Sequence, residues 1–133
     1  MSYDFSCWLI KYNGVSIYGK VYQKGSIKNI DNQKIPLLWN HIHHDPNMVI
    51  GHVLLENRED GIYVYGTLSE GPCKEATLNL IRDRGSVATS PYVNKIKYDK
   101  NVIVSGVIRE VSLVPERIDP DESYYPVLNE KED

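Results

Sequence analysis

The chain has 133 residues, 41% of them hydrophobic and 25% charged, with a net charge of −3. That composition fits one soluble domain with enough apolar residues for a core. It excludes a basic surface of the kind that binds nucleic acid, and no apolar run approaches the ~20 residues of a membrane-spanning helix.

The start, Met1-Ser-Tyr-Asp-Phe5, lacks the basic residues and apolar core of a secretion signal. Cys7 and Cys73 are therefore expected as free thiols, and the compartment as a cytoplasm. Ten tyrosines stand against one phenylalanine, many of them alternating with valine and isoleucine, which favours half-exposed strands.

Phe5 to Tyr12 predicts a first strand. Asn13-Gly14 predicts a tight hairpin turn, and Val15 to Gln23 a returning strand with Val15, Ile17, Gly19 and Val21 on one face. Gly25 to Lys34 is polar and predicts a surface loop. Ile35 to Asn40 predicts a third strand ending at His41. His44-Asp45-Pro46-Asn47 is a polar turn, and Met48 to Leu55 leaves it as a fourth strand. Glu56 to Gly61 is a charged turn, so Ile62 to Leu68 should pair with the fourth strand as a hairpin.

The period then changes. Pro72 suits a first helical turn, and Cys73, Ala76, Thr77, Leu80 and Ile81 recur at helical spacing as one apolar stripe. Gly85 ends the helix, with Arg82 and Arg84 in its last turn. Val87 to Tyr98 is extended again. Val102 to Val104 and Gly106 to Val114 follow as strands, with a bend at Ser105-Gly106. Pro115, Pro120 and Pro126 break regular structure. Residues 122–133 read as an acidic, flexible tail, with Asn129 to Asp133 disordered. The fold class is mainly β (α+β): an antiparallel barrel or highly curved sheet of about seven to eight strands, with one main helix at about 72–84.

Histidine exchanges protons most readily near neutral pH, so His41, at the end of an apolar strand, is the candidate general base. A serine needs such a base within hydrogen-bond reach to act as a nucleophile. The candidates are Ser86, Ser90, Ser105, Ser112, Cys7 and Cys73, and pattern alone leaves Ser90 and Ser86 close together. Glu110 sits on the same strand face as Ile108, Ser112 and Val114. A carboxylate there is costly unless paired. It would either orient a histidine or pair with Arg109 or Lys95 at a barrel rim. His41 and His43 share a face, and with His44, Asp45 and His52 they admit a zinc reading. No cysteine pair lies near them, and the short loop would crowd the ligands. His43, His44 and His52 read as solvated loop or strand-end residues.

Three blocks, taken in order and spacing, carry a family resemblance. They are Ile35-Pro-Leu-Leu-Trp-Asn-His41 with Val49-Ile-Gly-His-Val-Leu-Leu-Glu56, then Gly61-Ile-Tyr-Val-Tyr-Gly66, then Ile108-Arg-Glu-Val-Ser-Leu-Val114. From about Tyr18 to Asp121 the chain resembles the tailed-phage prohead (capsid maturation) proteases, relatives of the herpesvirus assemblin serine peptidases. The resemblance implies an assemblin-like barrel, a catalytic domain over residues 1–121, and no cofactor or metal. It implies that His41 is the general base and that the nucleophile is a serine after the helix. Ser86-Val-Ala-Thr is similar to the family's Ser-Val-Gly-aromatic block, which makes Ser86 the alternative nucleophile. Ser90-Pro-Tyr-Val-Asn94 is similar to the Ser-Ile-Tyr-Ala-Asn block of a Gram-positive phage branch. Ser90 also precedes Glu110 by the twenty residues expected there. On this basis Ser90 is the nucleophile and Glu110 the acidic third member.

The implied substrates are a phage scaffold and the N-terminal segment of the major capsid protein, cut inside a procapsid in the bacterial host cytoplasm, with self-cleavage. A homodimer would follow the assemblin relatives, which become active on dimerisation. Two features depart from the family. Pro115-Glu-Arg-Ile-Asp-Pro120 replaces its usual Gly/Pro-Ala-Asn-Pro segment. Pro91 follows the nucleophile and has no N–H to donate. An oxyanion would then need Ser90's own amide, or Arg109 or Arg117 acting through water. The rival expectations are an inactive prophage-derived scaffold or binding module, and a small metalloenzyme.

Overall fold

Period-2 alternation of apolar and polar residues makes most of this chain strand, and the coarse order expected from it holds. A computed structural model describes residues 2–14, 20–28, 30, 33–115 and 122–129. The strands are β1 (Phe5–Lys11), β2 (Val21–Tyr22), β3 (Lys34–Trp39), β4 (Val49–Arg58), β5 (Gly61–Leu68), β6 (Val87–Asp99), β7 (Val102–Pro115) and β8 (Val127–Leu128). A single α-helix, α1 (Pro72–Arg82), interrupts them.

All eight strands join one sheet, in the order β2-β7-β3-β4-β5-β1-β8, with β6 paired to β7. It curls until β6 lies against β1. There the Thr89 hydroxyl donates to the Trp8 carbonyl (3.0 Å) and touches Cys7 Sγ (3.4 Å). The result is a half-barrel. The expected antiparallel order is corrected: β3 and the described part of β2 both run parallel to β7. β7 is long enough to take β2 at its start and β3 at its end along one edge, while β6 occupies the other.

The β4–β5 hairpin forms as expected, in register from Gly51↔Leu68 to Arg58↔Gly61. The predicted β1–β2 hairpin does not form among the described residues. The ladder partners of β1 are β5 and β8, and residues 15–19 lie outside the described residues. Asn13 still turns the chain in the left-handed region (φ 62°), with its N–H on the Tyr22 carbonyl (3.0 Å). The expected surface loop is also corrected at two residues. Ile27 and Ile30 are buried in the core, and Ile27 bridges in parallel to Gly106.

β7 is one continuous strand without the expected bend at Ser105-Gly106. The irregularities lie in the β6–β7 ladder instead: β7 carries the extra residue after Tyr92 and after Lys97, and β6 carries it between Asn94 and Lys97. Gly106 is there for close approach: a Cβ on it would lie 2.6 Å from Val93 Cγ1. Gly66 does the same under Phe5, its ladder partner. A Cβ there would lie 2.1 Å from the ring, which is fully buried. The tyrosine reading also holds. Trp8 and Tyr63 face each other across β1 and β5 with rings 5.3 Å apart, and the Arg58 guanidinium stacks over Tyr63 at 3.8 Å.

The buried stripe of α1 is rotated from the expected one. Thr77 and Ile81 are buried, and Leu78 packs on the core. Cys73 and Ala76 are exposed, as is Leu80. Thr77 tolerates burial because its hydroxyl donates to the Cys73 carbonyl (2.8 Å). The expected flexible tail is corrected as far as Asn129. β8 covers the open edge of β1 (Phe5↔Leu128, Ser6↔Val127), and Asn129 N–H donates to the Asp4 carbonyl (2.9 Å). An uncovered strand edge leaves peptide groups unpaired, which is what this segment satisfies. Residues 130–133 lie outside the described residues.

Candidate active site

Three neighbouring strands deliver three polar groups to one spot. β7 carries Glu110 and Ser112 on one face. β6 places Ser90 directly opposite Ser112, and β3 runs beside the same stretch with Leu38 opposite Ser112. Side chains of paired residues emerge on the same face, so Ser90 joins Ser112 and Glu110.

β3 ends at Trp39, and the chain then leaves the sheet through two consecutive left-handed residues, Asn40 (φ 50°) and His41 (φ 56°). Asparagine tolerates that region; histidine there is strained, by about 1–3 kcal/mol. Three hydrogen bonds hold the turn. Asn40 N–H donates to the Leu113 carbonyl (2.9 Å), Ile42 N–H to the Trp39 carbonyl (3.1 Å), and His41 N–H to Ser112 Oγ (3.0 Å). The Ser112 hydroxyl in turn donates to Glu110 Oε2 (3.0 Å). One fully buried hydroxyl thus ties the histidine backbone to the carboxylate.

In that position His41 Nε2 lies 3.0 Å from Ser90 Oγ. The other ring nitrogen, Nδ1, lies 3.5 Å from Glu110 Oε1. Glu110 is only 3% exposed, so its carboxyl group depends on polar neighbours rather than on water. The same oxygen lies 2.8 Å from His43 Nε2. Neither ring N–H is well aligned with it: among the described residues, His41 Nδ1 and Glu110 Oε1 are both buried without a hydrogen-bond partner. The two imidazoles are nearly parallel, 17° apart, and His43 rests against the Tyr92 ring edge-on at 4.7 Å. A serine hydroxyl on one imidazole nitrogen and a carboxylate by the other is an arrangement that can take up and return a proton.

The remaining candidates fall elsewhere. Ser86 sits in the turn after α1, its hydroxyl donating to Asp83 Oδ2 (2.6 Å). Four steps along extended chain separate it from Ser90, a reach of about 13 Å. Ser112 is committed to the bridge just described. Arg109 is exposed and leaves β7 on the face opposite Glu110, away from the serine. Arg117 lies outside the described residues. Glu110 meets histidines rather than Arg109 or Lys95. The rest of the expected histidine cluster disperses. Asp45 caps the short turn at Pro46–Met48 by accepting from Asn47 N–H (2.9 Å). His52 lies on β4, its pKa lowered by partial burial and then by Lys34. Among the described residues, His41, His43 and Glu110 bring ligand-type atoms within 4.8 Å of one another.

Two residues were not assigned these roles from the sequence. From sequence His43 reads as a solvated loop or strand-end residue, although its alternation with His41 is an available signal. Ser112 was a candidate nucleophile, and nothing local marks it as a bridge.

A cleft of about 490 Å³ opens over the Ser90–His41 pair, with Leu9, Ile10, Tyr22 and Asn40 in its lining. Burial pushes the Tyr22 phenol up to about 12, helped by Tyr98, so it keeps its proton as a donor. Neither cysteine is in a disulfide, Cys7 being buried and Cys73 exposed. No helix among the described residues is long and apolar enough to cross a membrane. No protein-family model, no curated protein and no solved structure matches the chain.

Proposed function

We propose that this chain is a serine endopeptidase. Ser90 Oγ attacks a peptide carbonyl while His41 Nε2 takes its proton, and His41 then returns that proton to the leaving amine. Glu110 stabilises the imidazolium that forms between the two steps. The observation that carries this reading is the 3.0 Å contact between His41 Nε2 and Ser90 Oγ, with a buried carboxylate on the far side of the same ring. The cleft over the pair has room for an extended peptide segment.

Pro91 has no N–H for a developing oxyanion. Asn40 and Tyr22, both lining the cleft, offer candidate donors. The resemblance to prohead proteases supplies the substrate class: a phage scaffold and the N-terminal segment of a major capsid protein, cut within the procapsid, the enzyme acting as a homodimer. Purified protein incubated with scaffold peptides should cut them, and Ser90→Ala should abolish cleavage while Ser86→Ala retains it. The reverse pattern would move the nucleophile to Ser86 and overturn the assignment. Pro91 also favours a second reading, a scaffold or binding module that keeps the half-barrel without turnover. A folded sample in which no serine reacts with a phosphonate would select it.

A further inference from the structure

We propose that His41, His43 and Glu110 form a binding site for a zinc-class divalent cation, and that a cation held there switches the Ser90–His41 pair off. The site stands on geometry alone; the switch rests on the peptidase reading above.

The three ligand atoms already lie close to their coordinating positions. Glu110 Oε1 is 2.8 Å from His43 Nε2 and 3.5 Å from His41 Nδ1. In a tetrahedral zinc site with bonds of about 2.0–2.2 Å, neighbouring ligand atoms stand roughly 3.3–3.5 Å apart. Both nitrogen–oxygen separations fall within about 0.7 Å of that spacing, and the two imidazole nitrogens, within 4.8 Å of each other, have to draw together by side-chain rotation. Two of these atoms, His41 Nδ1 and Glu110 Oε1, are buried with no hydrogen-bond partner among the described residues. Both converge on the same small space, on a carboxylate that is more than nine-tenths buried. A cation would satisfy them together.

Chemistry selects the class of ion. Two imidazole nitrogens and one carboxylate oxygen suit zinc and its transition-metal neighbours, whereas magnesium and calcium prefer all-oxygen shells. The carboxylate is already oriented from behind, through the Ser112 hydroxyl on Oε2 (3.0 Å). His43 is half exposed, so solvent reaches the site and supplies the fourth ligand.

The switch follows from proton bookkeeping on one ring. A neutral imidazole has one N–H and one lone pair. For catalysis the proton of His41 sits on Nδ1, toward Glu110, and the lone pair on Nε2 faces Ser90. A cation on Nδ1 needs a lone pair there, so the proton leaves Nδ1 for solvent and Nε2 takes one up in its place. Nε2 then donates to Ser90 Oγ and has no lone pair with which to accept the hydroxyl proton. The serine keeps its proton and is not a nucleophile.

The test uses the full chain near neutral pH, where histidine ligands are available to metal. Cobalt(II) is titrated in first and followed by its visible absorption bands, then zinc is added in competition. The expected result is one equivalent per chain, with the affinity reduced about 10²-fold or more in His43→Ala. Ser90 labelling by a fluorophosphonate is then measured with and without one equivalent of zinc. Zinc should suppress labelling, a chelator should restore it, and His43→Ala should lose the zinc response whatever its basal rate. Equal affinity in the parent chain and His43→Ala, or binding that follows His44 or His52 instead, overturns the site. Stoichiometric binding without protection of Ser90 overturns the switch and leaves the site. If the metal-free chain labels nowhere, the peptidase reading and the switch fail together, and the cobalt titration still decides the site.

Discussion

Replacing Glu110 with glutamine preserves the volume of the side chain and removes its charge. The effect can be worked from position. Glu110 Oε1 lies 3.5 Å from His41 Nδ1. Spreading each charge over its ring or carboxylate puts the centres about 5 Å apart; at an effective dielectric near 20, their attraction is about 3 kcal/mol. That attraction exists only once His41 is protonated, in the transition state for attack by Ser90. Its loss should slow the step by roughly 10²-fold. A fluorophosphonate reports this step without a known peptide substrate, because it needs only the nucleophile and its base. The second-order labelling rate, followed by intact mass in the presence of a chelator, should fall by that factor in Glu110→Gln. Circular dichroism and a thermal melt establish that the variant is folded. A folded Glu110→Gln labelled within threefold of the parent rate would refute the role given to the carboxylate.

Other consequences are as direct. Ser112→Ala strands the His41 N–H and one Glu110 oxygen inside the protein, so it should cost about 2–4 kcal/mol in chemical denaturation and slow labelling as well. Gly66→Ala drives a methyl group into the Phe5 ring and should destabilise by about 1–3 kcal/mol, with Phe5→Leu in the same chain recovering part of the loss. Asn40→Gly keeps the left-handed turn and removes the carboxamide; a drop in kcat with little change in KM on a cleaved peptide would mark Asn40 as an oxyanion donor, and an unchanged kcat would exclude it. Arg58, and then Tyr65, hold the Glu56 carboxyl below its ordinary range. Its contribution is therefore present above the ordinary value of about 4.3 and fades as pH falls through the lowered one. The pair is half exposed, so Glu56→Gln should lower stability by less than about 1 kcal/mol at pH 7, and the difference should shrink as pH falls below the ordinary carboxylate range.

Much of the fold is written locally. The charged turn before Gly61 fixes the β4–β5 hairpin, and Pro72 with Gly85 brackets the helix. What escapes a local reading is pairing at a distance. The parallel contacts of β2 and β3 with β7 depend on where whole segments cross, and no residue at Val21 or Leu37 announces its partner. The helix stripe misleads for a chemical reason: Thr77 can be buried because a backbone carbonyl takes its hydroxyl, while Cys73 and Ala76 are small enough to be left in water. The segment after Pro126 looks like a tail by composition, yet it covers an edge that would otherwise stay open.

The site divides in the same way. His41 is legible because an apolar strand runs up to it, and Glu110 because a carboxylate among apolar neighbours calls for a partner. Ser90 and Ser86 cannot be separated by pattern, since both follow the helix. Space separates them: one faces an imidazole, and the other is turned back on Asp83. From sequence His43 reads as solvated because it follows a strand end, where side chains usually reach water. The left-handed pair Asn40-His41 swings the chain back over β7 and brings His43 to the carboxylate.

The most direct test is to map where a serine-reactive phosphonate lands. Peptide mapping of the labelled chain should find the adduct on the fragment containing Ser90, with none in Ser90→Ala or His41→Ala. An adduct on Ser86 or another serine, or no adduct on a folded chain freed of metal, would contradict a nucleophile at Ser90 activated by His41.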